Sequence, residues 1–215
     1  VRADNFNKKN HKYFNKIFTW NDELVDNKKY FKFNYSFQIP KEIPKTFNKE
    51  KLCCLIVGNK DSNHPKELYS ERKKLIRWFE NNYPKDFDLY GIGWNEYRFK
   101  GIRLIRGLNR ISFLKKLMFK YFGDYYPSYK GKVVNKFETM QDYKFAICYE
   151  NIKDIPGYIT EKMLDAMFAG CVPIYRGANN VTEHIPQNCF IDIRGFATYE
   201  KLYDYMKYMD KKTYM

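Results

Sequence analysis

The sequence lacks several features that would assign it to a broad class of protein. No apolar run is long enough to span a membrane, no signal peptide is visible, and no internal repeat or low-complexity tract occurs. The Gly91-Ile92-Gly93 motif is without the third glycine and the helix of a dinucleotide fingerprint, so we interpret it as a strand-end turn. The glycine-framed aromatic signature of common RNA-binding sheets is also absent.

Cysteine is scarce, and its spacing fits neither a disulfide framework nor a metal site. The cysteines are odd in number, and no pair has metal-ligand spacing. Four of them lie in predicted apolar strands or at a strand edge. The full set is Cys53, Cys54, Cys148, Cys171 and Cys189. We therefore expect buried free thiols in a reducing compartment, and neither a metal nor another cofactor.

Positive charge is abundant. The 215 residues carry a formal net charge of +14, which suggests an anionic partner such as nucleic acid, a phosphate-rich ligand or an anionic membrane surface. Because Lys and Asn are frequent along the whole chain, part of this charge can reflect genome composition alone.

The chain is long enough for one or two domains. Residues 41–51 are the best linker candidate, because the stretch from Ile39 to Lys51 holds Pro40, Pro44 and many charged residues but few apolar ones. We predict that residues 1–40 end an N-terminal α/β domain and that 52–215 form a C-terminal domain. The chain starts at Val1 rather than Met and its last residues keep an amphipathic pattern, so we expect a fragment of a longer protein.

Strands and helices alternate along the sequence. The predicted strands are 17–20, 31–35, 52–57, 87–90, 144–149, 172–175 and 190–193, and the predicted helices begin at 67, 160 and 199. After the linker this alternation predicts an open parallel sheet of Rossmann type, in which ligands bind at the carboxyl ends of the strands. Asn59, Glu150, Asn151 and Gly177 all follow predicted strands.

Two cations lie at unusual helix positions. The apolar spacing of helix 67–82 puts Arg72 in the middle of the buried face, where a guanidinium needs either an internal carboxylate or a bound phosphate. Lys162 lies in the first turn of the helix that begins near Thr160, where the helix dipole disfavours a cation. Either Lys162 extends into solvent, or an anion such as phosphate binds at this helix start.

Residues 102–122 are basic and amphipathic. Ile111, Leu114, Leu117, Met118 and Tyr121 fall on one helical stripe. A membrane surface or nucleic acid is a conceivable partner, but we favour a helix that turns this stripe towards the core.

Several segments resemble glycosyltransferase family 10, the α1,3-fucosyltransferases, in its bacterial and viral members. The core of the resemblance is YKFAICYEN, then GYITEK, then AGCVPIYRG, with CFIDI further on. NKDSNHPKELYSERKKLI and DLYGIGW are similar to earlier segments of the same donor-binding domain. The similarity spans most of residues 11–210, and the Tyr-Ile-Thr-Glu-Lys run is its most specific part.

The resemblance implies a two-domain GT-B enzyme that moves fucose from GDP-fucose, with inversion, to a hydroxyl of a glycan containing N-acetylglucosamine or glucose. The family's donor-binding motif residues match Arg72, Asn151, Tyr158, Glu161 and Lys162 here. Weaker candidates are Asn59, Glu150 and Gly177. It also implies a general-base glutamate before a segment that resembles VRADNF, with Ala3 where proline is more usual. We therefore expect the base to lie N-terminal to Val1 and this chain to bind donor at best.

The residues alone leave other interpretations open. Glu161 can bind ribose hydroxyls or simply favour the helix dipole, Tyr158 can contact a phosphate or be an exposed loop aromatic, and Asn151 can serve only the turn. The whole chain can instead use another nucleotide sugar, or be a non-catalytic basic module with salt-dependent binding. The transferase hypothesis predicts no nucleic-acid partner and permits peripheral membrane contact. It places the protein in the cytoplasm or at a membrane surface in a bacterium or virus, and at the Golgi membrane in a eukaryote.

Overall fold

The computed structural model describes residues 7–35 and 37–215, so the segment that resembles VRADNF, with Ala3, lies outside the described residues. Strands are short and all pair in parallel. They are β1 (Ile17–Thr19), β2 (Tyr30–Lys32), β3 (Lys51–Ile56), β4 (Phe87–Tyr90), β5 (Tyr129–Gly131), β6 (Tyr143–Tyr149), β7 (Val172–Arg176) and β8 (Ile191–Asp192). The α-helices are α1 (Lys8–His11), α2 (Tyr69–Asn82), α3 (Arg103–Gly107), α4 (Ser112–Phe122), α5 (Lys136–Gln141), α6 (Glu161–Phe168), α7 (Tyr199–Lys207) and α8 (Lys211–Tyr214).

Six of these strands form the main sheet of the described residues, in the order β5-β4-β3-β6-β7-β8. The chain builds outward from β3 to β5, then returns to the middle and builds outward from β6 to β8. The strand order therefore reverses between β3 and β6. In doubly wound folds, ligands bind in the crevice at this reversal point. The predicted parallel sheet is confirmed, although the sequence pattern did not reveal β5.

The sheet is covered on both faces, which explains its nearly continuous apolar strands. Most odd-numbered residues of β3 and β6, such as Leu55 and Phe145, pack with α2 and α7 in one cluster. Even-numbered residues, such as Cys54 and Ala146, pack with α5 and α6 in another. All cysteines are free thiols, and four are buried while Cys189 is exposed, as expected.

Helix α2 begins at Tyr69, two residues later than predicted. Glu67 forms an isolated bridge with Ile152, and its carboxylate accepts a hydrogen bond from the Ser70 backbone N–H at 3.0 Å. Leu68 N–H donates to the Asn151 carbonyl at 3.1 Å. These contacts hold the loop after β6 against the start of α2.

The expected single core-facing helix over residues 102–122 is not formed, and its apolar stripe is only partly covered. Leu114 and Met118 are half-buried, whereas Ile111, Leu117 and Tyr121 are exposed. The segment is divided into α3, a 3-10 turn at Leu108–Arg110 and α4, and none of the residues in α3 or α4 is buried. Asn109 explains the break, because its side chain accepts from Phe99 N–H at 3.0 Å and donates to the Phe99 carbonyl at 2.9 Å. Such side-chain bonds to backbone compete with a continuous helix.

The N-terminal strands β1 and β2 form a separate two-stranded sheet that rests on the loop after β6. Strand β2 stops at Lys32, short of the predicted end, because β1 offers it only three residues to pair with. Trp20 packs on Tyr158 with ring centroids 4.7 Å apart. Asp22 accepts hydrogen bonds from Asn180 at 2.9 Å and contacts His184 at 2.9 Å.

Residues 41–51 also pack on the main domain. Gly170, which ends α6 as predicted, approaches Pro44 so closely that a Cβ would lie 2.3 Å from the Pro44 carbonyl oxygen. Lys49 Nζ donates to the Gly170 carbonyl at 2.7 Å, and Phe47 contacts Tyr214 at 5.4 Å between ring centroids. Among the described helices, none combines the length and the apolar character that crossing a bilayer requires.

Candidate donor site

A cavity of about 830 Å³ opens at the carboxyl ends of β3, β4, β5 and β6. Its walls include the residues that directly follow these strands and the first turn of α6. Of the residues predicted from sequence, five line it: Asn59, Arg72, Asn151, Glu161 and Lys162. The volume falls in the range of roughly 300–1,000 Å³ that ligand pockets usually have. The reversal point of the sheet and five of the eight predicted residues therefore meet at one cavity.

Arg72 is only 3% exposed and lies on the buried face of α2, as its spacing predicted. Its Nη2 donates to the carbonyl oxygens of Tyr149 at 2.7 Å and Glu150 at 2.6 Å, and to Asn151 Oδ1 at 3.1 Å. These partners are neutral oxygens at the end of β6 rather than an internal carboxylate. Burial lowers the pKa of the guanidinium, which nevertheless keeps its charge.

One polar atom of Arg72 has no partner. Its Nε is buried and makes no hydrogen bond within the described residues. An unsatisfied buried donor costs roughly 1–3 kcal/mol, and more when it is charged. Arg72 also lines the cavity, so an anion that reaches this buried donor from the cavity would satisfy it.

Lys162 pairs with a buried carboxylate, so of the two alternatives for this residue the structure does not show the one in which it extends into solvent. Its Nζ lies 3.0 Å from Glu150 Oε2 and donates to Thr160 Oγ1 at 2.7 Å, and the side chain is 17% exposed. An ammonium has three N–H donors, so one remains for a ligand in the cavity.

Glu150 itself is completely buried beneath this helix start. Besides Lys162, it accepts from the Thr160 backbone N–H at 2.7 Å and from the Thr160 hydroxyl at 2.7 Å. A carboxylate here is favoured by the positive end of the α6 dipole. Glu150 therefore positions Lys162 and Thr160. It does not line the cavity, although its position directly after a predicted strand had made it a candidate donor-binding residue.

Tyr158 is buried rather than an exposed loop aromatic. It lies beneath Trp20, and its hydroxyl is 3.5 Å from Asn151 Nδ2. Burial raises the pKa of the phenol, so the hydroxyl stays protonated at physiological pH. Because Asn151 Oδ1 accepts from Arg72, Tyr158 reaches the site through Asn151 and does not line the cavity.

Gly177 also lies outside the cavity lining, and its position has a steric explanation. A Cβ at residue 177 would lie 2.3 Å from the Tyr175 hydroxyl oxygen and 2.6 Å from Glu150 Cγ. Only glycine fits there without a shift of these buried side chains. Gly177 therefore supports the position of Glu150.

The turn after β4 lines the cavity with backbone. Asn59 Nδ2 donates to the Gly93 carbonyl at 3.0 Å, and Asn59 N–H donates to the Ile92 carbonyl at 2.9 Å. Gly91 has φ +130°, and a Cβ there would lie 1.9 Å from the Val57 carbonyl oxygen. The Gly-x-Gly motif is thus a strand-end turn, as interpreted, and it also forms one wall.

Sequence analysis missed most of the positive charge around the cavity. Besides Arg72 and Lys162, the basic lining residues are Lys60, Arg98, Lys115, Lys132 and Lys136, whereas the acidic ones are Glu96 and Glu161. Lys115 is paired with Glu96 at 2.6 Å. Lys132 follows β5 and Lys136 begins α5, two elements that were not predicted. The surplus of cations favours an anionic ligand.

Within residues 7–35 and 37–215, no cluster of three or more His, Cys, Asp or Glu side chains has a geometry that could hold a metal ion.

The fold is an α/β fold of the GT-B type. A solved structure of TarM superposes on 99% of this chain and 40% of its own length with a TM-score of 0.57, at 12% sequence identity. A family model described as glycosyltransferase family 10 (fucosyltransferase) C-term matches residues 46–215. The chain therefore belongs to glycosyltransferase family 10, as the resemblance implied.

Two curated relatives illustrate this membership. An alpha-(1,3)-fucosyltransferase of Helicobacter pylori is 38% identical over 77 residues, which is 36% of this chain and 16% of the relative. A 4-galactosyl-N-acetylglucosaminide 3-alpha-L-fucosyltransferase of Bos taurus is 28% identical over 175 residues, which is 79% of this chain and 35% of the relative. The chain thus spans about a third or less of the length of these relatives.

Proposed function

We propose that this chain carries the donor-binding domain of an inverting fucosyltransferase. The donor is GDP-fucose, and the acceptor is a hydroxyl of a glycan that contains N-acetylglucosamine or glucose. The observation that carries the proposal is the cavity of about 830 Å³ at the carboxyl ends of the strands, where buried Arg72 keeps an unpaired Nε. Membership of the fucosyltransferase family supports the choice of sugar.

The diphosphate lies between Arg72 and the first turn of α6 in this proposal. Arg72 contributes its free Nε–H, and Lys162 contributes the N–H that Glu150 and Thr160 do not occupy. As the glycosidic bond breaks, negative charge grows on the leaving diphosphate. Two cations fixed in advance by buried hydrogen bonds stabilise that charge more effectively than mobile ones.

Glu161 binds the ribose in the same arrangement. Its carboxylate lines the cavity in the first turn of α6. Partial burial opposes ionisation, but the neighbouring Lys162 ammonium lowers the pKa of Glu161. An ionised carboxylate accepts hydrogen bonds from two adjacent hydroxyl groups, as acidic residues do in other nucleotide-binding folds.

The domain boundaries predicted from sequence are part of the proposal. Residues up to 40 belong to an acceptor-side domain, 41–51 connect the domains, and 52–215 bind donor. The separate β1–β2 sheet supports a boundary before β3, and so does the family match, which begins at residue 46.

No described residue is proposed as the general base. Glu150 is unsuitable because it is completely buried and its oxygens already accept hydrogen bonds from Thr160 and Lys162. The base remains a glutamate expected N-terminal to Val1.

Calorimetric titration of the chain with GDP, GDP-fucose and UDP at moderate salt tests the proposal. We expect guanine nucleotides to bind and UDP to bind more weakly. Arg72→Ala and Lys162→Ala should each weaken binding by about 1.5–3 kcal/mol, the usual range for hydrogen bonds to charged groups. Lys136→Ala removes a half-exposed cation of the cavity and should cost less.

Lys74→Ala is the matched control, because Lys74 is an exposed cation on the same helix as Arg72 but does not line the cavity. It should leave the affinity unchanged. Thermal unfolding of each variant shows that the protein is folded before titration. If the folded chain binds none of the three nucleotides, or if Lys74→Ala weakens binding as much as Arg72→Ala, the proposed site is wrong.

A further inference from the structure

Residues 102–122 combine strong positive charge with the absence of any acidic residue. The basic residues of this segment are Arg103, Arg106, Arg110, Lys115, Lys116 and Lys120. One of them, Lys115, is paired with Glu96 from outside the segment. A stretch with this charge favours an extended anionic partner.

The same segment exposes large apolar side chains. Leu104 is 82% exposed and Phe113 is 75% exposed. The other exposed apolar residues are Ile102, Ile105, Ile111, Leu117, Tyr121 and Phe122. Single exposed apolar residues are normal on a protein, but eight of them within 21 consecutive residues mark an interaction surface.

The apolar and basic residues are interleaved on α4. Phe113, Leu117 and Tyr121 are spaced four residues apart and form an exposed stripe along the helix. Lys116 and Lys120 lie beside this stripe, and both are exposed. Long lysine side chains can keep the ammonium in a polar layer while their stems lie along apolar surroundings.

We propose that residues 102–122 form a docking surface for an anionic lipid bilayer. Basic residues meet the negative headgroups, while Leu104, Phe113 and their exposed neighbours enter the boundary between headgroups and acyl chains. The charge complements an anionic surface, and the aliphatic and aromatic exposure favours a bilayer over nucleic acid. The proposal does not depend on the proposed donor.

Docking in this way holds the cavity beside the membrane surface. Asn109 and Lys115 both belong to the segment, and both line the cavity. A ligand in the cavity would therefore lie close to the headgroup layer.

Co-sedimentation of the chain with sucrose-loaded vesicles tests the proposal. One set of vesicles is pure phosphatidylcholine, and the other contains about one third phosphatidylglycerol. We expect binding to the anionic vesicles, weakened by salt, and little binding to the neutral ones. Lys116→Gln/Lys120→Gln should lower the partition coefficient roughly 25-fold, or about fivefold per cation. Leu104→Ser/Phe113→Ser should lower it by at least about tenfold.

Two control variants match these changes elsewhere on the surface. Lys201→Gln/Lys212→Gln removes the same charge from exposed positions near the C-terminal end, and Tyr208→Ser removes an exposed aromatic ring there. Both should bind vesicles like the unmodified chain. All substituted residues are exposed, so we expect unchanged thermal unfolding.

Three results would overturn the proposal. The first is that the folded chain does not bind anionic vesicles, and the second is that the control variants lose as much binding as the test variants. The third is that the unmodified chain self-associates in analytical ultracentrifugation and Leu104→Ser/Phe113→Ser dissociates it, because the surface would then be covered by a second copy. Binding to single-stranded nucleic acid that needs the lysines but not Leu104 and Phe113, without vesicle binding, would assign the surface to nucleic acid instead.

Discussion

The buried pair of Glu150 and Lys162 permits a quantitative test of how the helix start is held. The two charged groups are 3.0 Å apart, Glu150 is fully buried and Lys162 is 17% exposed. With an effective dielectric constant of about 20, their attraction is about 5–6 kcal/mol before the cost of removing both from water. That desolvation cost offsets most of the attraction, so the pair adds little net stability.

Removal of one partner has a larger effect than the net stability of the pair. Glu150→Gln removes the nearer, buried anion of Lys162 and leaves it only the Glu161 carboxylate at 3.8 Å. Lys162→Met leaves a buried carboxylate that keeps only its bonds to Thr160. We expect each single substitution to lower the free energy of unfolding by about 3 kcal/mol, near the lower end of the range for broken buried pairs. The double substitution should cost less than the sum by roughly 2 kcal/mol, because it leaves no unpaired charge.

Urea unfolding of the four proteins at neutral pH measures this coupling energy. Tyr208→Phe is the control, because Tyr208 is exposed and this substitution should combine additively with Glu150→Gln. Tyr143→Phe would not serve, because the Tyr143 hydroxyl is hydrogen-bonded to Asp88. If the effects of Glu150→Gln and Lys162→Met add within about 0.5 kcal/mol, Glu150 does not balance the charge of Lys162.

Three further predictions concern packing, thiols and pH. Gly177→Ala should lower the free energy of unfolding by about 1–3 kcal/mol, whereas Gly195→Ala, with open space around its Cβ position, should leave it nearly unchanged in the same urea titration. A thiol reagent should label only Cys189 in the folded chain and all five cysteines in urea, and rapid labelling of a second thiol before unfolding would contradict the structure. The hydrogen bond from Lys115 lowers the pKa of Glu96, so Lys115→Met should cost about 1 kcal/mol at neutral pH. The stability from this pair is present above the ordinary pKa of 4.5 and is lost as the pH falls through the lower pKa that Glu96 has in the folded protein. The destabilisation by Lys115→Met should therefore vanish in acid. Equal destabilisation at neutral and acidic pH would contradict the pairing.

Local pattern predicted the elements that bury their apolar residues. The β6–α6–β7 unit has continuous apolar strands and an amphipathic helix, and each lies within about two residues of its predicted position. Helix 67–82 was also predicted with Arg72 on its buried face. In these elements, the spacing of apolar residues along the sequence is enough to predict both the type of element and its buried face.

Contacts between distant segments could not be predicted. Lys162 was recognised as a cation in an unfavourable place, but the anion that balances it, Glu150, became evident only from the path of the loop. Tyr158 is buried because Trp20, far away along the chain, covers it. The amphipathic period of residues 102–122 indicates helix but not which face finds a partner. In the structure no residue of α3 or α4 is fully buried, and Leu114 and Met118 are only half-buried.

A crystal structure of the chain with GDP is the most direct test of the proposed donor site. We expect the nucleotide to lie in the cavity at the carboxyl ends of β3 and β6. Its diphosphate should accept hydrogen bonds from Arg72 Nε, Lys162 Nζ and the start of α6, and Glu161 should contact the ribose. An empty cavity at saturating GDP, or a diphosphate bound away from Arg72 and Lys162, would contradict the proposed site.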